Sequence, residues 1–287
     1  MINILTWNIQ CGRAVNGRID LMHTADVIKH MGDIDVICLQ EVSRFEPELD
    51  GGKGADQVEV LATFFPDHHP IFGVALDRLG NGTRHRRQFG NLILSRLPII
   101  QVFNHSLPQP APANPCKHMP RQALEVTVEA EGGPFRITTT HLEFHCEDQR
   151  LAQIRRLRDT QVEVVKNQHY THDAPLSGPY SAFARPARNI ICGDFNSAPD
   201  DAVYQSLTAP LGVPTNNYLD AWRVIKGKTP HSPTCGIHDH VQWPQGPHCR
   251  DFFFLSEDMS EFAKDIQVQE ETDASDHQPV LLHLKGY

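Results

Sequence analysis

The sequence predicts one α/β domain in which two β-sheets pack together with helices outside. Three observations carry this reading. Short apolar runs rich in Ile, Val, Leu and Phe outnumber helical patterns by about two to one. Strict β-α-β alternation fails, which argues against a single doubly wound sheet. No shift in composition divides the 287 residues, so residues 1–287 are expected to form a single domain.

Taken in order, the expected strands are Ile2–Trp7, Asp35–Leu39, Phe72–Leu76, Leu92–Leu94, Leu124–Val128, Phe135–Thr140, Asn189–Cys192, Phe252–Leu255 and Val280–Leu284. A first helix starts at an Asp20 cap, carries Leu21, Ala25, Ile28 and Met31 on one face, and stops at Gly32. The longest runs from Glu147 to about Gln168 with Leu151, Ile154 and Leu157 at helical spacing, and its acidic start suits the helix dipole. Shorter helices are expected at Asp200–Leu207 and Leu219–Ile225. Pro108–Pro120 and Pro175–Pro186 read as long surface loops.

Composition narrows the function classes. With 26 basic against 35 acidic residues the net charge is −9, a poor basis for sequence-independent gripping of nucleic acid. Seven cysteines, an odd number with Cys38 and Cys192 inside apolar runs, fit a reducing compartment, so a cytoplasmic location is expected. The start "MINILTWN" has no basic, then apolar, leader pattern. No run approaches the roughly 18 apolar residues of a membrane span. No membrane partner is expected, and a monomer is.

Polar groups border the buried runs repeatedly. Asn8 follows the first in "TWNIQ", Glu41 the second in "CLQEV", and His141 ends another in "TTTHLE". "ICGDFNS" supplies Asp194 and Asn196, Asp251 opens "RDFFFL", and Ser275, Asp276 and His277 precede the last run. Singly, each reads as turn chemistry or a solvated loop. As a set they can converge where strand ends gather.

In this order Asn8, Glu41, His141, Gly193-Asp194-Phe195-Asn196, Asp251 and Ser275-Asp276-His277 resemble the endonuclease/exonuclease/phosphatase superfamily, the deoxyribonuclease I-like phosphoesterases. "FGNLILSRLPI", with Asn91, is similar to a further strand of that family, and the likeness spans residues 2 to 284. It implies a four-layer α/β sandwich of two mixed sheets flanked by helices, and a Mg²⁺- or Mn²⁺-dependent phosphoric ester hydrolase. Glu41 is by itself a hard oxygen ligand suited to Mg²⁺. The resemblance sets Asn8 beside the ion or the phosphate and Asp276 near the metal. It also implies that Asp194 accepts a proton from, or orients, the attacking water, and that Asn196 donates to the phosphate or that water. His141 and His277 suit hydrogen bonding to phosphoryl oxygens, and Asp251 resembles the carboxylate that fixes the tautomer of His277. Gln10 stands where abasic-site endonucleases carry an acidic residue, and they lack the histidine present here as His141, so abasic-site repair is disfavoured.

The substrate side stays open between nucleic acid and a small phosphoester. Arg84, Arg86 and Arg87 in "NGTRHRRQFG", together with Asn91 and Arg121, are the expected substrate contacts, because guanidinium forks match phosphate oxygens. A competing reading uses Cys235, His238, His240, His248 and Cys249 as zinc ligands in an interaction module, though their spacing is irregular. Without zinc, the loop lies beside Asp251 and offers His238 or His240 to a cleft. A catalytically inactive binding module of the same fold is the remaining alternative.

Overall fold

Two six-stranded sheets face each other across a common core in the computed structural model, which describes every residue except 81, 83, 169–177, 182–184 and 213–215. The first sheet has the order β11 (Ala263–Val268), β12 (Val280–Leu284), β1 (Ile2–Asn8), β2 (Val36–Arg44), β4 (Arg87–Ser95), β3 (His69–Arg78). The second runs β5 (Ile99–Ser106), β6 (Gln122–Val128), β7 (Phe135–His141), β8 (Asn189–Asp194), β10 (Asp251–Ser256), β9 (Tyr218–Asp220). Each sheet is antiparallel except for one central parallel pair, β1–β2 in the first and β7–β8 in the second.

Alternation along the strands explains the layering. Ile4, Val36 and Cys38 point into the core between the sheets, where they meet Leu124, Ile137, Cys192 and Phe253. Their neighbours Leu5, Ile37 and Leu39 point the other way, against α1 (Leu21–His30) and α2 (Gln57–Phe64). On the second sheet Ile191 and Phe254 face α3 (Glu147–Asn167) and α4 (Ala202–Thr208). Central strands are thus apolar on both faces, which is why they read as continuous runs rather than alternating ones. The expected four-layer sandwich of two mixed sheets flanked by helices is the observed architecture.

The expected start and stop of the first helix are observed. Asp20 accepts a hydrogen bond from His23 N at 3.1 Å and opens α1, and Gly32, at φ +119°, follows its end. Four differences have physical causes. The second strand does not stop at Leu39 but continues to Arg44 around a bulge between Leu39 and Val42. β5 and β11, unassigned from sequence, lie at or beside sheet edges with one exposed face that breaks the apolar run. α2 is capped by Asp56 but too short for a clear period. Residues 219–225 are not one helix: Leu219 and Asp220 pair with β10, and Asp220 then caps α5 (Ala221–Lys226). Pro108–Pro120 is a loop, while half of Pro175–Pro186 lies outside the described residues. Among the described residues no helix is long and apolar enough to cross a membrane.

Candidate active site

The parallel pairs place the site. Asn8, the last residue of β1, lies beside Gln40 at the β2 bulge, and His141 lies beside Asp194 at the ends of β7 and β8. Asp194 is also in register with Asp251 on β10, so His141, Asp194 and Asp251 stand side by side on three adjacent strands. Asp276 and His277 arrive from the first sheet just before β12. One cavity of about 530 Å³ is lined by Asn8, Gln10, Glu41, Arg121, His141, Asp194, Asn196, Asp276 and His277, with Lys117, His118, Glu143, Phe144, His145 and Trp243 among its walls.

Backbone constraint accompanies the convergence. Glu41 takes a left-handed conformation at φ +56° on the β2 bulge, and Asn196 does so at φ +48° after β8. Such conformations in non-glycine residues cost free energy and gather at functional sites. Gly193 answers a different need. It is inside β8 at φ +134°, and a Cβ there would lie 1.9 Å from Thr140 O on β7. Its role is the close approach of the two parallel strands, not the turn itself.

Asn8 links the halves: its amide N donates to Glu41 Oε1 at 3.1 Å and to Asp194 Oδ2 at 3.0 Å. Asp194 Oδ1 accepts from Asn196 N at 2.8 Å. His277 Nδ1 is 2.8 Å from Asp251 Oδ2, which also accepts from Thr234 Oγ1 at 2.6 Å. The other imidazole nitrogen, Nε2, is 3.7 Å from Asp194 Oδ2. Asn196 Nδ2 donates to Leu142 O at 3.0 Å and lies 3.0 Å from His141 Nε2. The Asn196 amide nitrogen expected to face phosphate is therefore engaged within the protein, and its Oδ1 is the buried atom left without a partner.

Burial and charge split the two histidines. Burial, helped by the Arg121 charge, pushes His141 down to about 3, so its imidazole is neutral. Burial alone would also depress His277, but Asp251, Asp194 and Asp276 around it hold it well above the ordinary histidine range. Asp194 goes the other way: burial opposes its charge, yet His277 and His141 hold it below the usual carboxylate range. A proton donor and an ionised acceptor thus face one cavity.

Glu41 is pushed up to about 7, first by burial and then by the charge of Asp276. Glu41 and Asp276 both line the cavity, and acidic oxygen donors of this kind suit a hard divalent cation, which prefers carboxylates. The other acidic group, Asp194, Asp251 and His277, has ligating atoms within 4.8 Å of one another, but its Asp251–His277 contact is already a 2.8 Å hydrogen bond.

The expected substrate contacts fare unevenly. Arg121 lines the cavity and lies 3.3 Å from Glu143. Arg84, Arg86, Arg87 and Asn91 do not line it. Arg87 is bound to the buried carboxylate of Glu46 and also reaches Glu48, while Arg86 pairs with Asp77 at 2.5 Å. Arg86 and Arg87 are thus held by carboxylates, Arg87 by ones about forty positions away, instead of facing the site. The zinc reading is not supported among the described residues, since no three of Cys235, His238, His240, His248 and Cys249 bring ligating atoms together. His238 Nε2 instead bonds Glu270 O at 2.8 Å, and the loop offers Gln242 and Trp243 to the cavity in place of His238 or His240.

Sequence reasoning missed Glu143, Gln40 and Trp243. Gln40 Nε2 donates to Thr6 Oγ1 at 3.0 Å and to Thr139 Oγ1 at 2.8 Å, tying the first sheet to the second beneath the site. Glu143 and Gln40 sit one or two positions from residues already singled out, a usable signal. Trp243 stands in an aperiodic loop and gave none.

A model of the Endonuclease/Exonuclease/phosphatase family matches residues 5–277. No curated protein matches the sequence. Among solved structures, an endonuclease/exonuclease/phosphatase from Beutenbergia cavernae is similar at 23% identity with TM-score 0.68, over 99% of this chain and 72% of that one. A mannosyl-6-phosphatase from Bacteroides thetaiotaomicron is similar at 15% identity with TM-score 0.68, over 99% of each chain. The human Nocturnin catalytic domain, solved with a bound sulfate anion, is similar at 18% identity with TM-score 0.59, over 98% of this chain and 93% of that one.

Proposed function

The chain belongs to the endonuclease/exonuclease/phosphatase family, and from that premise we propose that it is a divalent-metal-dependent hydrolase of a small phosphoester. The observation that carries the proposal is geometric: His277, anchored through Nδ1 on Asp251, brings Nε2 to 3.7 Å from Asp194 Oδ2 at one cavity. Phosphoester hydrolysis needs an acceptor for the water proton and donors for the phosphoryl oxygens. Asp194, held by Asn8 and Asn196, orients the water and takes its proton. His277, its Nδ1 anchored on Asp251, donates from Nε2 to a phosphoryl oxygen. Neutral His141 serves as a second donor, with Asn196 as its brace. Glu41 and Asp276 would hold Mg²⁺ or Mn²⁺ with Asn8 steadying Glu41, and the bound ion would neutralise charge on the transferring phosphoryl group.

A small substrate is favoured over a nucleic acid by two features. The cavity of about 530 Å³ suits a small ligand, and the arginine hairpin that would grip a polyanion is turned to carboxylates instead. The mannosyl-6-phosphatase of the same fold offers a sugar phosphate as one such class. Seven unpaired cysteines support a reducing, cytoplasmic setting. The test is a substrate panel: p-nitrophenyl phosphate, bis-p-nitrophenyl phosphate, sugar phosphates, DNA and RNA, each with Mg²⁺, with Mn²⁺ and after chelation. Metal-stimulated turnover of small esters and none of polymers is expected. Folded protein with no metal-stimulated turnover on any member refutes the enzyme reading.

A further inference from the structure

The 235–250 loop has almost no regular structure, yet Trp243 at its centre is only 3% exposed. Its indole edge meets His277 at 5.7 Å, Phe144 at 5.8 Å and His248 at 5.0 Å between centroids, and the Arg250 guanidinium lies 4.8 Å over its ring. The tautomer of His248 is fixed by its neighbours. Nδ1 lies 2.7 Å from Gly246 O and must donate, so Nε2 accepts from Arg250 Nε at 2.8 Å. Backbone bridges join Cys235 both to His248 and to His277. The loop is therefore fastened to the segment that carries Asp276 and His277.

One polar atom of Trp243 is unaccounted for by this packing, and it reaches the site. Nε1–H donates to Asp276 Oδ2 at 3.2 Å. The other oxygen, Oδ1, lies 3.3 Å from Ser275 Oγ, but that hydroxyl has one proton and a nearer acceptor, Asn8 O at 2.7 Å. Asp276, 5% exposed, thus has one oxygen held by an indole and one without a committed donor.

We propose that Trp243 is a positioning residue: its indole N–H fixes Asp276 Oδ2 so that Oδ1 is presented to a divalent cation. The inference rests on the metal-dependent reading above. Donors behind a ligating carboxylate hold its direction, and their loss typically weakens metal binding about 10- to 100-fold.

The test measures Mn²⁺ binding by isothermal titration calorimetry in the parent, Trp243→Phe, Asp276→Asn and the double variant, with thermal unfolding alongside. Trp243→Phe keeps an aromatic ring against His277 and loses the donor together with part of the indole's packing volume, a loss that thermal unfolding reads separately. A loss of affinity of about 10-fold or more is expected, and in the Asp276→Asn background the same substitution should cost nothing further. Unchanged Mn²⁺ affinity in Trp243→Phe overturns the proposal, whether or not the melting temperature falls. Parent protein that binds no Mn²⁺ overturns the metal-dependent reading itself, and the proposal with it. An independent readout needs no indole variant. Of the three tryptophans, one indole N–H resonance should move when Mg²⁺ is added to the ¹⁵N-labelled parent, and Asp276→Asn should abolish that movement. A spectrum in which no indole moves also counts against it.

Discussion

Gly193→Ala puts the strand geometry to a direct test. The added Cβ would stand 1.9 Å from Thr140 O, where real Cβ contacts stay beyond 3.0 Å, so β7 and β8 must part by about 1 Å. The residue must also hold φ +134°, a conformation that costs a side-chain-bearing residue about 1–3 kcal/mol. With the disturbed ladder added, a loss of about 3 kcal/mol is expected, large for one substitution but within the 5–15 kcal/mol of a typical domain. In a chain of this size that lowers the melting temperature by about 6–12 °C. The next rung of the same ladder is His141 beside Asp194. A displacement of about 1 Å there should reduce turnover about 100-fold at temperatures where the variant is folded. Thermal unfolding and turnover of bis-p-nitrophenyl phosphate read the two effects. A variant matching the parent in both refutes the packing argument. Lowered stability with parental turnover refutes the claim that this strand spacing sets the site.

Asp194→Asn keeps the shape of the side chain and removes the proton acceptor, so turnover should fall about 10²- to 10⁴-fold with an unchanged circular dichroism spectrum. Replacing Arg84, Arg86 and Arg87 together should leave KM unchanged while lowering the melting temperature, because the buried Glu46 loses Arg87. A raised KM would restore the hairpin as a substrate contact. Stability should also depend on pH through Glu125. Burial opposes its charge, but His105, Arg136 and Arg185 pull it from 4.5 to about 2. At about 1.4 kcal/mol per pH unit this is about 3 kcal/mol, in place above the ordinary value and lost as pH falls toward 2. Urea unfolding of the parent and Glu125→Gln should therefore differ most at neutral pH and converge only toward pH 2. A difference independent of pH would show that the carboxylate charge is not what stabilises the network.

What the sequence made legible was the chemistry at strand ends. A polar residue against an apolar run marks where a buried strand leaves the core, and Asn8, His141, Asp194 and Asp251 were each visible that way. Glu41 was visible too, but the bulge that carries it within a longer strand was not, because a left-handed residue leaves no periodic trace. Arg84, Arg86 and Arg87, expected at the substrate, lie away from the cavity for a different reason. Their charge is local in sequence, whereas Glu46, which claims Arg87, is about forty positions away. Trp243 was silent because its loop has no period and its partners, Asp276 and His277, lie about thirty positions further on. Edge strands β5 and β11 were missed where one solvated face dilutes the apolar signal.

The Gln40 bridge to Thr6 and Thr139 has a consequence for how this molecule can fail. Neither sheet owns the proposed site: Asn8, Glu41, Asp276 and His277 ride on one, and His141, Asp194, Asn196 and Asp251 on the other. The site is a split reagent, assembled only when two slabs are aligned, and Gln40 acts as the dowel between them. A variant that loosens this bridge could shift one slab against the other without unfolding either. Slippage would silence the protein while leaving its helices, strands and spectrum intact. Turnover is then a finer gauge of sheet alignment than any measure of folding.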